Sequence, residues 1–193
     1  HNLTDNLYIQ ANIGTSFRLP DAEQLFLNEI YDEDNDGVPD DFFSVGNPNL
    51  KPEQSENINV SIGGSAGRLS WELVGFSREI TDYIESYTTT YIAGVEGESF
   101  INTNDQVDID GFELITALQL TDTLSANFSY TDTKAELNGN GSQLQGIPEN
   151  ESKLRLGYRA QAQPWGLGFT LNHVGDINER RGEKRGNYTV MDL

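Results

Sequence analysis

Apolar and polar residues alternate with a period of two along most of this chain. Leu7, Ile9, Ala11 and Ile13 alternate with Tyr8, Gln10, Asn12 and Gly14, which predicts a strand from Leu7 to Phe17 with one apolar and one polar face. The pattern returns over Ser55–Gly63, where Ile58, Val60 and Ile62 alternate with Asn57, Asn59 and Ser61. A turn is expected at 63–67, and Leu69, Trp71 and Leu73 open a third strand whose later part, Val74 to Ile84, is apolar on both parities. Phe112, Leu114, Leu118 and Leu120 place a fourth strand over about Val107–Leu120, and Leu124, Ala126, Phe128 and Tyr130 a fifth after a tight turn at 121–123. Leu154, Leu156 and Tyr158 alternate with Lys153, Arg155 and Arg159 in a sixth. Trp165, Leu167, Phe169 and Leu171 alternate with Gly166, Gly168, Thr170 and Asn172 in a seventh, and an eighth starts near Asn187. Helical periodicity is nearly absent, so the expectation is an all-β, antiparallel fold.

The connections sort by length. Those at 63–67, 121–123 and 161–164 are short, whereas those at 20–54, 85–105, 138–150 and 177–186 are long. Segments 87–93 and 99–103 could pair as a hairpin within the second long one. Short turns at one end and long loops at the other, with apolar-out and polar-in strands, are the pattern of an outer-membrane barrel. A soluble β-sandwich binding module also alternates, with its apolar face packed inward, and stays open as an alternative. No stretch approaches the ~18 consecutive apolar residues of a membrane helix, but a membrane-spanning β-strand needs only ~9–11 residues, half of them apolar.

The 20–54 connection exceeds the usual loop length, which marks it as functional. It opens on Phe17-Arg18-Leu19-Pro20 and closes on Asn47-Pro48-Asn49-Leu50-Lys51-Pro52-Glu53. The prolines cannot donate to a ladder and belong where pairing stops. This pair of segments resembles the TonB-dependent outer-membrane receptors, in which a Phe-Arg-x-Pro segment ends one barrel strand and an Asn-Pro-Asn-Leu-Lys-Pro-Glu segment starts the next. Four later stretches are similar to further steps of that family in order: Phe76 to Ile84; Asn102 followed by Gly111-Phe112-Glu113-Leu114; Gly146-Ile147-Pro148-Glu149; and Tyr188 to Leu193.

The resemblance implies about eight strands of a larger, 22-stranded plugged barrel. Residues 1–193 are then expected to be a partial barrel domain from the C-terminal half of a receptor, without its plug domain and terminal strands. The implied setting is the outer membrane of a Gram-negative bacterium. The implied activity is uptake of a scarce solute, such as a siderophore-type metal complex, with energy from TonB acting through the plug. Membrane lipid is the expected neighbour of the apolar parity, with the ligand captured at the extracellular loops. A passive porin-like barrel is the alternative within the same fold.

Charge narrows the partners. The chain of 193 residues carries 12 Lys and Arg against 31 Asp and Glu, a net charge of -19. No basic stripe exists to neutralise a nucleic-acid backbone. Nine acids, and no Lys or Arg, lie between Leu19 and Leu50. Within them, Asp32-x-Asp34-x-Asp36-Gly37-Val38-x-Asp40 sets oxygen ligands at alternate positions around a glycine, with the Val38 carbonyl in addition, as in the first part of an EF-hand loop. Position twelve is Phe43 rather than Glu, so a weak calcium site is expected; a solvated acidic face is the competing reading. No other cofactor is required.

No enzyme is expected: the two histidines, His1 and His173, have no partner at metal or triad spacing. The interval 21–46 also lacks His, Met, Cys and Lys, leaving Tyr31 as its one plausible haem ligand. Its acids disfavour haem propionates, so a neutral or metal-complexed solute is expected instead. On the polar parity, Lys153, Arg155 and Arg159 would meet a plug or a solute, or simply line a wet interior.

Overall fold

The computed structural model describes residues 2–4, 6–33, 35–39, 41–90, 95–137, 143–178 and 184–193. Its strands are β1 (Asn2–Thr4), β2 (Leu7–Arg18), β3 (Asn28–Tyr31), β4 (Phe42–Val45), β5 (Glu53–Ala66), β6 (Leu69–Thr81), β7 (Ile84–Thr90), β8 (Glu96–Asn102), β9 (Val107–Gln119), β10 (Leu124–Leu137), β11 (Asn150–Arg159), β12 (Gly166–Val174), β13 (Ile177–Asn178), β14 (Lys184–Arg185) and β15 (Tyr188–Asp192), with one helix, α1 (Ala22–Phe26). The chain divides into two compact units: His1–Gly14, Asn57–Arg78 and Asp108–Leu193, and Thr15–Glu56 with Glu79–Val107.

The first unit is built on a sheet of nine strands in the order β1-β2-β5-β6-β9-β10-β11-β12-β15. Where its registers are resolved, the pairing is antiparallel, and it assigns the faces. Phe128 pairs with Leu154 and Leu154 with Leu171, which pairs with Met191. One row along, Ala126 meets Leu156 and Leu156 meets Phe169; then Leu124 meets Tyr158 and Tyr158 meets Leu167. Directly paired residues share a face, so these rows form one continuous apolar surface. Phe112 joins it, its ring 5.8 Å from that of Tyr130. The alternate rows are mainly polar: Asn127–Arg155–Thr170–Asp192 and Ser129–Lys153–Asn172–Val190. Little is buried between these faces. Ile13 is 78% exposed, Leu167 62% and Met191 67%, so the apolar surface lacks a protein cover among the described residues. No described helix is long and apolar enough to cross a membrane, which leaves crossing by strands open.

The expected turn at 63–67 is corrected. β5 runs on to Ala66, and the turn falls at 67–68. Gly67 takes the positive φ that the reversal needs, 60°. Gly63 lies inside the strand, where a Cβ would stand 2.5 Å from the Tyr8 hydroxyl. The remaining strands match the expected ones to within a few residues at most ends, with β1 added at the sheet's start.

The long connections are less bare than the alternation suggests. In the second unit, α1, β3 and β4 occupy the 20–54 interval, and β3-β4-β8-β7 form a four-stranded sheet. β7 and β8 pair antiparallel, as the 87–93 and 99–103 segments led one to expect, although residues 91–94 lie outside the described set. β4 pairs with β8 in parallel, Ser44 opposite Glu98. In the first unit, the 177–186 interval holds the short β13–β14 pair.

Candidate functional site: the motif cluster and the acidic loop

The two motif segments meet in the second unit through Arg18 and Glu53. Arg18 ends β2 and Glu53 begins β5, so each sits where ladder pairing starts or stops. The Arg18 fork donates from Nε to Glu53 Oε2 and from Nη2 to Oε1, both at 2.7 Å. The Ile84 amide, at the start of β7, donates to the same Oε1 at 2.9 Å. Glu53 is only 8% exposed at its side chain, whereas Arg18 is 51% exposed. Burial alone would push the Glu53 carboxyl up; the guanidinium and the Ile84 N–H outweigh it and hold the group below its ordinary range. The hydrogen bond to Glu53 raises Arg18 in turn.

Asn47 and Lys51 extend the clamp. Pro48 and Asn49 form a turn in which the Leu50 amide donates to the Asn47 carbonyl and the Asn49 amide to Asn47 Oδ1. Asn47 Nδ2 donates to the Phe100 carbonyl on β8 at 2.9 Å. Asn102, at the end of β8, accepts from the Lys51 amide at 2.7 Å and donates Nδ2 to the Lys51 and Asp82 carbonyls. Pro20 and Pro52 flank the pair at positions that need no ladder donor. Phe17, one residue from Arg18, is 71% exposed and takes no part. The cluster thus splices 47–53 to both strands of the β7–β8 hairpin. Asn102 carries as many bonds as any motif residue, and its side-chain role was invisible in the sequence because its partners are backbone groups 20 and 51 residues away.

A helix also escaped the period count. α1 is five residues long, too short to show periodicity, yet its capping box was there to read: Asp21 Oδ1 accepts from the Gln24 amide, and Gln24 Oε1 from the Asp21 amide.

The acidic loop is partly described. Asp34 and Asp40 of the expected calcium set lie outside the described residues. Asp32 folds the loop onto itself: Oδ1 accepts the Asp36 amide at 3.1 Å and Oδ2 the Gly37 amide at 2.9 Å. Asp36 Oδ1 accepts the Val38 amide at 2.7 Å. Asn35 and Gly37 take positive φ, 61° and 90°, which gives the sharp bend. Among the described residues no three His, Cys, Asp or Glu side chains come together as a metal set. Tyr31, at the end of β3, donates its hydroxyl to Glu29 Oε2 at 2.6 Å. That bond, with the nearby acids, pushes its phenol up. His173 lies in the first unit on the apolar parity, Nδ1 3.0 Å from Thr189 Oγ1 on the neighbouring strand.

A family model described as "TonB dependent receptor-like, beta-barrel" matches residues 1–193. The chain belongs to the TonB-dependent receptor family. It is similar to the vitamin B12 transporter BtuB of Photobacterium profundum, with 29% identity over all of this chain and 29% of that protein. It is also similar to hemoglobin-haptoglobin utilization protein B of Neisseria meningitidis serogroup C, with 24% identity over 85% of the chain and 22% of that protein. In fold it resembles the ferric enterobactin receptor PfeA of Pseudomonas aeruginosa, TM-score 0.74 at 20% identity, covering 99% of the chain and 30% of the receptor. The chain thus spans less than a third of the length of these proteins. As a member of this family it is a portion of a receptor barrel, as the resemblance of Phe17–Glu53 implies.

Proposed function

We propose that the chain forms part of the wall of a Gram-negative outer-membrane receptor that takes up a scarce solute, of the siderophore-type metal-complex class, with energy delivered by TonB through a plug domain. The observation that carries the reading is the face assignment: apolar rows across β10, β11 and β12, one of them reaching Met191 on β15, backed by rows in which Ser, Asn, Thr, Lys and Arg predominate. An exposed apolar surface of this extent requires a lipid or protein cover, and strands of nine to fourteen residues meet the ~9–11 needed to cross a bilayer. The motif cluster supports the reading by tying loop segments rigidly at the strand ends, where extracellular loops would present a ligand.

The test uses the intact receptor in its own membrane. Nitroxides at Leu156, Phe169 and Leu171 should be relaxed by lipid-soluble oxygen, and nitroxides at Asn127 and Thr170 by a water-soluble relaxant. The reverse result sinks the lipid-facing assignment. Growth on a ferric chelate as sole iron source should require both the receptor and TonB; growth that persists without TonB would make the barrel a passive pore. The Asp32–Asp40 loop is proposed as a weak calcium site that stiffens this ligand-facing surface, supported by the inward turn of Asp32 and Asp36.

A further inference from the structure

In the first unit, β10 outruns its partner. It continues to Leu137, whereas its ladder with β11 ends at the Asp132–Asn150 pair. Residues 143–149 take the place of β11 along the overhang. The Thr133 amide donates to the Glu149 carbonyl at 2.9 Å, and the Leu144 amide to the Ala135 carbonyl at 2.7 Å. The Gln143 side chain supplies what a further strand residue would. Its Oε1 accepts the Ala135 amide at 2.9 Å, and its Nε2 donates to the Thr133 carbonyl at 3.2 Å. Ala135 is fully buried, so its amide needs that acceptor.

The same segment is bound on its other side to the connection between β12 and β15. Asn178 Nδ2 donates to the Gln143 carbonyl at 2.7 Å, and the Gly146 amide donates to the Asn178 carbonyl at 2.9 Å. Gln145 and Asn178 form a parallel bridge, and Pro148 and Ile177 an antiparallel one. The Glu149 amide donates to the Asp176 carbonyl at 3.1 Å, and Asp176 Oδ1 accepts the Asn187 amide at 3.1 Å. Gln143 and Asn178 are 35 residues apart and belong to different connections, yet each spends its side-chain amide on the backbone of the other segment or of β10. An ion pair, Lys184 to Glu149 at 2.9 Å, spans the same two connections, but its side chains are 55% and 43% exposed, and such pairs contribute little.

We infer that residues 143–149 are a strap that couples the β10–β11 connection to the β12–β15 connection, so that 143–149, 175–178 and 184–187 open as one unit. Lifting the strap from β10 strips the Ala135 amide of its acceptor. Lifting it from Asn178 breaks two hydrogen bonds at once. Segments that share their bonds in this way have one opening free energy rather than two. The consequence for uptake rests on the receptor reading proposed above: connections at the solute-facing end that open together offer one binding surface, and a solute that orders one of them orders the other.

Amide exchange in the full-length receptor in detergent, at neutral pH and resolved to single amides, tests the coupling. Asn178→Ala removes a bond to Gln143 and alters no bond of the Ala135 or Leu144 amides. Those amides should nonetheless exchange about tenfold faster, the effect of one lost part-buried hydrogen bond on the whole unit. Gln143→Ala acts from the other side and should speed the Asn187 amide, held by Asp176, by a similar factor. Should Gln143→Ala fail to fold, Gln143→Glu, which keeps the Oε1 acceptor and loses both donors, gives the same readout. Lys184→Gln should change these rates by less than about threefold. Heat-modifiable gel mobility reports that each variant is folded. Wild-type exchange at Ala135 and Leu144 in Asn178→Ala, or at Asn187 in the Gln143 variant, means that the connections open separately and overturns the strap. So does a Lys184→Gln effect as large as that of Asn178→Ala, since the ion pair would then be the link. The receptor reading fails on a different measurement: coupled exchange in a protein whose Leu156 nitroxide is not relaxed by lipid-soluble oxygen keeps the strap and sinks the lipid-facing wall.

Discussion

Replacing Glu53 by Gln tests whether the motif cluster holds the β7–β8 hairpin. The substitution keeps shape and volume and removes the charge. Oε1 now accepts both Arg18 Nη2 and the Ile84 amide, while Oε2 accepts Arg18 Nε. An amide can keep the Oε1 pair, but its NH2 then faces the Arg18 Nε–H, donor against donor. One charge-assisted bond is lost outright and the other weakens, at ~1.5–3 kcal/mol for a bond to a charged group. Because Arg18 is half exposed, water recovers part of this, and about 2 kcal/mol is expected. That is roughly a 30-fold rise in local opening. Amide exchange in full-length receptor at neutral pH, read in peptides covering 82–88, measures it. The dependence on pH has a definite sign. Glu53 is held below its ordinary range in the folded state, so its contribution is complete above the open-state value of ~4.3 and is lost as pH falls through the lower folded value. Protection at 82–88 should therefore drop on acidification in the wild type beyond the drop in Glu53→Gln. If exchange in Glu53→Gln matches the wild type at neutral pH while Asn102→Ala speeds it, the pair is a bystander and the clamp is made by Asn102 alone.

Three other perturbations have expected outcomes. Gly63→Ala sets a Cβ 2.5 Å from the Tyr8 hydroxyl and 3.0 Å from the Trp71 carbonyl; it should cost about 1–3 kcal/mol in thermal unfolding of the receptor, and Tyr8→Ser should recover most of the loss. Calorimetry should show calcium binding with a dissociation constant on the order of 10⁻⁴–10⁻³ M, abolished by Asp34→Ala with Asp36→Ala; absence of heat at millimolar calcium ends that idea. Haemin should give no saturable Soret shift that depends on Tyr31, since a phenol donating to Glu29 and raised in pKa is a poor source of the phenolate that iron takes; a shift abolished by Tyr31→Phe refutes this.

The barrel wall was legible because its code is local. Parity along Leu154–Tyr158 and Leu167–Leu171 assigns the faces without knowledge of the neighbours, and the registers then join like with like. The turn after β5 was misplaced because Gly63 and Gly64 look like turn residues, whereas Gly63 makes room for Tyr8 and the reversal belongs to Gly67. The second unit was hidden for a different reason. Its sheet depends on the parallel pairing of Phe42–Val45 with Glu96–Ser99, residues 54 apart, and no period within either strand specifies such a partner. The motif residues were recognisable as a pattern, but their chemistry was not. Glu53 and Asn102 bind backbone groups of Ile84, Lys51 and Asp82, and a backbone amide has no signature in a sequence.

That chemistry gives the motif residues a scaffolding role. Glu53 takes three hydrogen bonds from within the chain, and both Asn47 and Asn102 use side-chain oxygen and nitrogen alike on their own backbone. Groups spent in this way hold a scaffold and have little left for a solute. The cluster is therefore expected to act on opening of the β7–β8 hairpin: Asn102→Ala removes three of its hydrogen bonds and should speed amide exchange at 82–88 in the full-length receptor, and unchanged exchange would count against the clamp.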